Sequence, residues 1–254
     1  PLQMRRPNSP PRRSPRASAR DDVDELLGLL KRGGRRPADK TAEERARIRE
    51  LMEALERVGA REKYLESKEY VGAGRGDTLL WDNYELAYFD RSIDGGRGSE
   101  RKGDDPYKNA TRPFGLRSKI LGALFGLRFS FQHLVAPDVA VNYVGFSCCG
   151  LPGAVTTRGV YKRLRQAEVD EIRKESGTRL RADTAVRIDF ERPVLSFGPR
   201  WAPVTFAFDA GQSPPVSLCT TYVDDRLRLA LAAKGGRLAF TRGGLASKSF
   251  ANDW

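Results

Sequence analysis

One histidine, His133, and three cysteines are all the imidazole and thiol in this 254-residue chain. An ordinary structural zinc site takes four ligands, mostly from those two residue types. Two of the cysteines, Cys148 and Cys149, are adjacent, and neighbours on an extended segment point to opposite faces, so they do not build one compact site. No metal centre or cofactor is therefore expected. Three cysteines at this spacing do not make a secreted disulfide framework either, and a reducing compartment is inferred. No run reaches the roughly eighteen apolar residues of a spanning helix, so any membrane contact is expected to be peripheral.

Acidic residues are missing from one place in particular. Residues 1–20 hold six arginines and no Asp or Glu, which puts half of the formal charge of +12 into that stretch. A nucleic-acid surface would spread its charge over the fold, so the high pI overstates the case for nucleic acid, which is expected only through this tail. The same residues are rich in Pro and Ser, a composition that cannot bury a core and reads as a disordered tail. Arginine and serine without acids also have the character of an organelle transit segment, and the tail is expected to be the remnant of one.

What is present begins with helices, over a lead-in of residues 21–60. Asp21 and Asp22 precede an apolar stripe of Val23, Leu26, Leu27 and Leu30. Thr41 and Glu44 have the spacing of a capping box, and Ile48, Leu51, Met52, Leu55 and Val58 form one face behind it. Neither helix sustains a heptad, so both should pack on the β-rich remainder of the chain.

From Leu79 the apolar period changes to two, and residues 61–254 read as a β domain. Strands are expected over Leu79–Phe89, Leu127–Leu134, Val139–Phe146 and Val155–Tyr161, with a long loop at 91–116 and a helical or irregular excursion at 163–175. Leu180 to Glu191 alternates through twelve residues, placing Ala185 on the wet face. Short strands near Val194–Phe197 and Val204–Phe208 come next. Thr220 to Leu229 reads as a strand with a charged middle, and Gly235-Gly236 as a hairpin turn into Leu238–Phe240. About eight antiparallel strands with one wet face close most economically into a barrel.

Chemistry is scarce. His133 and the cysteines have no supporting spacing as a nucleophile–base pair. The glycines at 72, 74 and 76 lack the Lys-Ser/Thr and the helix of a phosphate loop. Asp224 and Asp225 face opposite ways on a strand. We assign no catalytic residue, and the chain reads as a non-enzyme. A barrel of eight strands is either filled by side chains or holds one small ligand. The inward candidates for ligand contact are Tyr88, Phe129, Phe131, Tyr143, Phe190 and Tyr222, beside small Ala140, Gly145 and Ala182. That mixture suits an apolar ligand with a few polar anchors, and a packed core has the same composition.

Four stretches in order carry a resemblance over roughly residues 21 to 242: Leu79-Leu80-Trp81-Asp82-Asn83-Tyr84-Glu85-Leu86-Ala87-Tyr88; Phe129 to Asn142, with Phe131-Gln132 and Val139-Ala140-Val141-Asn142; Val186-Arg187-Ile188-Asp189-Phe190; and Thr220 to Arg228. Together they resemble the plastid-lipid-associated proteins, or plastid fibrillins, as a divergent member in which the closing turn is displaced to Gly235-Gly236. The resemblance implies a lipocalin-like barrel in the plastid, stroma-facing and peripheral to thylakoid or plastoglobule. It implies an apolar lipid or pigment as partner: a carotenoid, a quinone or a fatty acid. The competing expectation is an interaction subunit of a large plastid complex, such as a ribosome, polymerase or photosynthetic assembly. The barrel would then be the docking surface, and the arginine tail would contact RNA or an acidic partner.

Overall fold

The computed structural model describes residues 15–32, 39–66, 79–90, 125–135, 137–148, 151–197, 204–207, 215–233 and 235–243. The 91–116 loop, the glycines at 72, 74 and 76, Cys149 and residues 1–14 of the basic tail lie outside that set. Helix α1 runs Pro15–Lys31, so it begins inside the stretch read from sequence as tail. Proline is well tolerated at a first helical position, and Ala19 is already buried there. Helix α2, Ala42–Gly59, starts at the expected capping box: the Glu44 amide donates to Thr41 Oγ1 at 3.1 Å, and the Thr41 amide to Glu44 Oε2 at 2.9 Å. Between the helices Lys40 donates to the Leu29, Leu30 and Arg32 carbonyls and so closes the C-terminal end of α1.

The strands are β1 Asn83–Asp90, β2 Phe125–Val135, β3 Val139–Cys148, β4 Leu151–Arg163, β5 Ala185–Phe190, β6 Val194–Phe197, β7 Val204–Ala207, β8 Val216–Val223, β9 Leu227–Ala232 and β10 Arg237–Arg242; α3, Gln166–Ser176, comes after β4. Their order is β3-β2-β1-β10-β9-β8-β5-β4, and β4 pairs back onto β3, which closes an eight-stranded antiparallel barrel. The long β4 serves two neighbours on its other side. Residues 159–163 pair with β5, residues 153–156 with β6, and β7 extends that second pairing.

Cross-strand partners share a face, so the register separates inside from outside. The inner face carries Tyr84, Leu86, Leu134, Ala140, Tyr161, Val186, Ile188, Leu218, Val223, Ala230 and Phe240 as one cluster. Along β3, β4 and β6 the same face continues into Phe146, Val155 and Leu195. Outside, α1 and α2 lay Val23, Leu26, Ile48, Leu51, Met52 and Leu55 over Tyr88, Tyr222, Leu227, Leu229 and Ala239. Helix α3 brings Val169 to Leu164, Leu180, Cys219 and Leu231.

Two sequence-based strands are redrawn. Only Ala185–Phe190 of the Leu180–Glu191 stretch is strand. Arg181 turns aside to pair with Asp183 and to donate to the Gly59 and Glu62 carbonyls, and Ala185 is fully buried rather than wet. Thr220–Leu229 is two strands, not one. Asp224 accepts from the Arg226 and Leu227 amides at 2.8 and 2.7 Å, an Asp-centred turn that reverses the chain between β8 and β9. Gly235, at φ 81°, makes the turn into β10, as its sequence predicts.

Candidate functional site

Strand β9 inverts the usual polarity of a barrel strand. Leu227, Leu229 and Leu231 alternate outward beneath the helices, so Arg228 and Ala230 must point inward. Arg228 is fully buried. Its Nη1 donates to Gln132 Oε1 at 2.6 Å and its Nε to Thr220 Oγ1 at 3.2 Å. Gln132 is in turn held by its own donation to Asn142 Oδ1 at 3.1 Å. The guanidinium carbon stands 5.3 Å from the Tyr84 ring centroid and 5.2 Å from that of Phe240, in cation–π range of both.

These hydrogen-bond partners are all uncharged. Removing a guanidinium from water costs on the order of several kcal/mol, and a carboxylate is the usual compensation. Two rings and two neutral acceptors offset part of that cost, but Nη2 of Arg228 has no hydrogen-bond partner. Tyr161 Oη, on the same inner face, has none either. Burial pushes the Tyr161 phenol well up, with Arg228 opposing that shift, so the hydroxyl keeps its proton and remains a donor. Thr220 and Arg228 stand close enough to Tyr161 Oη to oppose that rise as polar neighbours, yet neither contact meets full hydrogen-bond geometry. The Tyr161 ring is set edge-on against Trp81, centroids 5.3 Å apart. Tyr84 is different: its hydroxyl donates to the Leu79 carbonyl at 2.7 Å.

Of the six candidates for ligand contact, Phe190 packs against the inner cluster. A β-bulge between Leu86 and Tyr88 reverses the facing of β1, and another between Thr220 and Tyr222 does the same in β8. Tyr88 and Tyr222 therefore lie under α1 and α2. Phe129, Phe131 and Tyr143 are brought together, but on the side of the sheet away from Gln132 and Tyr84: the register pairs Phe131 with Glu85 and Tyr143, while Gln132 pairs with Tyr84 and Asn142. The three rings stack, Phe129 on Phe131 at 4.7 Å and on Tyr143 at 5.7 Å. The interior polar group of Arg228, Gln132, Asn142, Thr220 and Tyr161 escaped sequence reading. Its only signal was an arginine alternating with leucines.

His133 donates from Nδ1 to Asn83 Oδ1 at 2.7 Å, and burial pushes its pKa down to about 4. Cys219 is buried, and its thiol is pushed up to about 11, which leaves it unreactive at neutral pH. Among the described residues no three His, Cys, Asp or Glu side chains gather as metal ligands. An open recess beside α3 is lined by Glu66, Arg163, Arg165 and Asp183, but Glu66 pairs with Arg163 at 2.8 Å and Asp183 with Arg181.

Set beside known proteins, the chain is 31% identical over 134 residues to the Arabidopsis thaliana protein described as "Probable plastid-lipid-associated protein 8, chloroplastic", a match covering 52% of this chain and 46% of the relative. The chain thus spans about half the length of that relative. No protein-family model and no solved structure matches it. The similarity agrees with the resemblance carried by the strand motifs.

Proposed function

We propose that this chain is a non-enzymatic lipid-binding protein of the plastid, holding or coating an apolar lipid at the thylakoid or plastoglobule surface. The observation that carries this reading is the barrel interior, an apolar lining surrounding one polar cluster. Apolar walls supply the binding energy for a lipid, and a few fixed polar groups orient it. The similarity to a plastid-lipid-associated protein supports both the lipid and the plastid. Leu151 and Val204, 60% and 57% exposed at the end of the sheet that carries β6 and β7, suit contact with an apolar surface.

The test is to isolate the protein from plastids, extract it with organic solvent and identify what is released by mass spectrometry. A stoichiometric lipid or pigment is expected. A clean extract, with the protein instead held in one large assembly that resists salt washing, would overturn the lipid reading in favour of a docking subunit.

A further inference from the structure

We propose that the unfilled donors of Arg228 and Tyr161 receive the carboxylate of a long-chain acyl lipid, so that the barrel grips a fatty acid by its head. This rests on the lipid-binding reading above and narrows it to one ligand class. Nη2 of Arg228 and Oη of Tyr161 are both buried and lack acceptors, on side chains sharing the inner face. The guanidinium is not free to swing toward a substitute. Thr220 and Gln132 hold Nε and Nη1, Asn142 holds Gln132, and the Tyr84 and Phe240 rings flank the group.

A buried donor left unfilled is costly, and a buried charge left uncompensated more so. The site therefore asks for two acceptor atoms and one negative charge. A carboxylate supplies both, and its bonds to Arg and Tyr are charge-assisted. A phosphate head brings more charge and more acceptor oxygens than two donors can satisfy. A quinone or keto-carotenoid offers an acceptor oxygen but leaves the guanidinium uncompensated. The acyl tail would then lie against the same cluster, among Leu134, Ala140, Val186, Ile188 and Leu218.

The experiment titrates delipidated protein calorimetrically with hexadecanoic acid, its methyl ester and hexadecanol, using wild type, Tyr161→Phe and Arg228→Met, with circular dichroism confirming each fold. Wild type is expected to bind the acid about ten- to a hundred-fold more tightly than the ester or alcohol, the range a charged hydrogen-bond pair supplies. Tyr161→Phe should weaken the acid several-fold and leave the ester unchanged. Arg228→Met should bring acid and ester to the same affinity. If Arg228→Met does not fold, Tyr161→Phe, which removes only an unpartnered hydroxyl, decides the matter. Equal binding of acid and ester by wild type would overturn the carboxylate head while leaving a lipid-binding barrel. A preference for the acid that survives in the folded variants would place the anion elsewhere and overturn the site. Binding of none of the three, together with a clean plastid extract, would sink the lipid reading itself.

Discussion

Arg228 is held in the barrel at a thermodynamic cost that its neighbours do not fully offset, since they are neutral and Nη2 is unpartnered. Replacing even a paired buried charge, together with its partner, by apolar side chains of similar volume is often neutral or stabilising by about 1–4 kcal/mol, and Arg228 has no carboxylate to offset its desolvation. The Arg228→Met protein is therefore expected to unfold at a higher urea concentration than wild type. Arg228→Ala, which also empties the space, should unfold at a lower one. A lower midpoint for both would mean the arginine is a net support of the core. His133 makes a second prediction. Its folded pKa of about 4 lies below the ordinary 6.5, so the ring stays neutral in the fold while the unfolded chain takes up a proton. Its contribution is fully present above 6.5 and is lost as pH falls toward and through about 4. Across that window His133→Gln should lose less stability than wild type, as read from urea midpoints at successive pH values. Parallel loss in the two proteins would show that other groups drive the acid sensitivity.

At the scale of elements, α2 is the piece whose docking sets the outer face of the barrel. Arg237 of β10 reaches Glu53 and Glu56 of α2 at 3.0 and 3.2 Å, and Glu56 also accepts from Thr221 at 3.4 Å. Burial raises the Glu56 pKa, with Arg237 opposing. At the helix end Gly59 sits against the Thr221 backbone carbonyl, and a Cβ there would also come within 2.6 Å of Tyr64 Oη. Gly59→Ala must push the helix end from β8, and overpacking of this kind costs about 1–3 kcal/mol. A urea midpoint shifted down by a corresponding amount is expected. An unshifted midpoint would mean that the helix end yields without loss. The start of the same helix was legible in advance, because a capping box needs only residues three apart. The bulges that turn Tyr88 and Tyr222 outward were not, because a bulge depends on how two strands far apart in the chain meet. The Asp224 turn lies between these cases. Aspartate is a turn former, but the β-prone residues on either side hid it inside an apparently continuous strand.

For the whole molecule, the basic charge is unevenly spread along the chain. Residues 1–14 hold four of the arginines. A polybasic segment near an anionic leaflet gains about 1 kcal/mol per Lys or Arg before screening. Deleting residues 1–14 is expected to weaken sedimentation with anionic vesicles at low salt and to leave the thermal midpoint unchanged. Undiminished binding would exclude the tail as an anchor.

Local pattern alone was enough for the fold class of this protein: two amphipathic helices and about eight strands. Those features depend on spacing along the chain, and spacing is written in the sequence. The direction in which each strand faces is not. In β9 both faces are buried, one by the helices and one by the barrel, so alternation between Leu227, Leu229 and Leu231 and their neighbours has two solutions of equal merit. Only the docking of α1 and α2 on the outside chooses between them. That choice turns Arg228 into the barrel interior, on the face that also carries Tyr161.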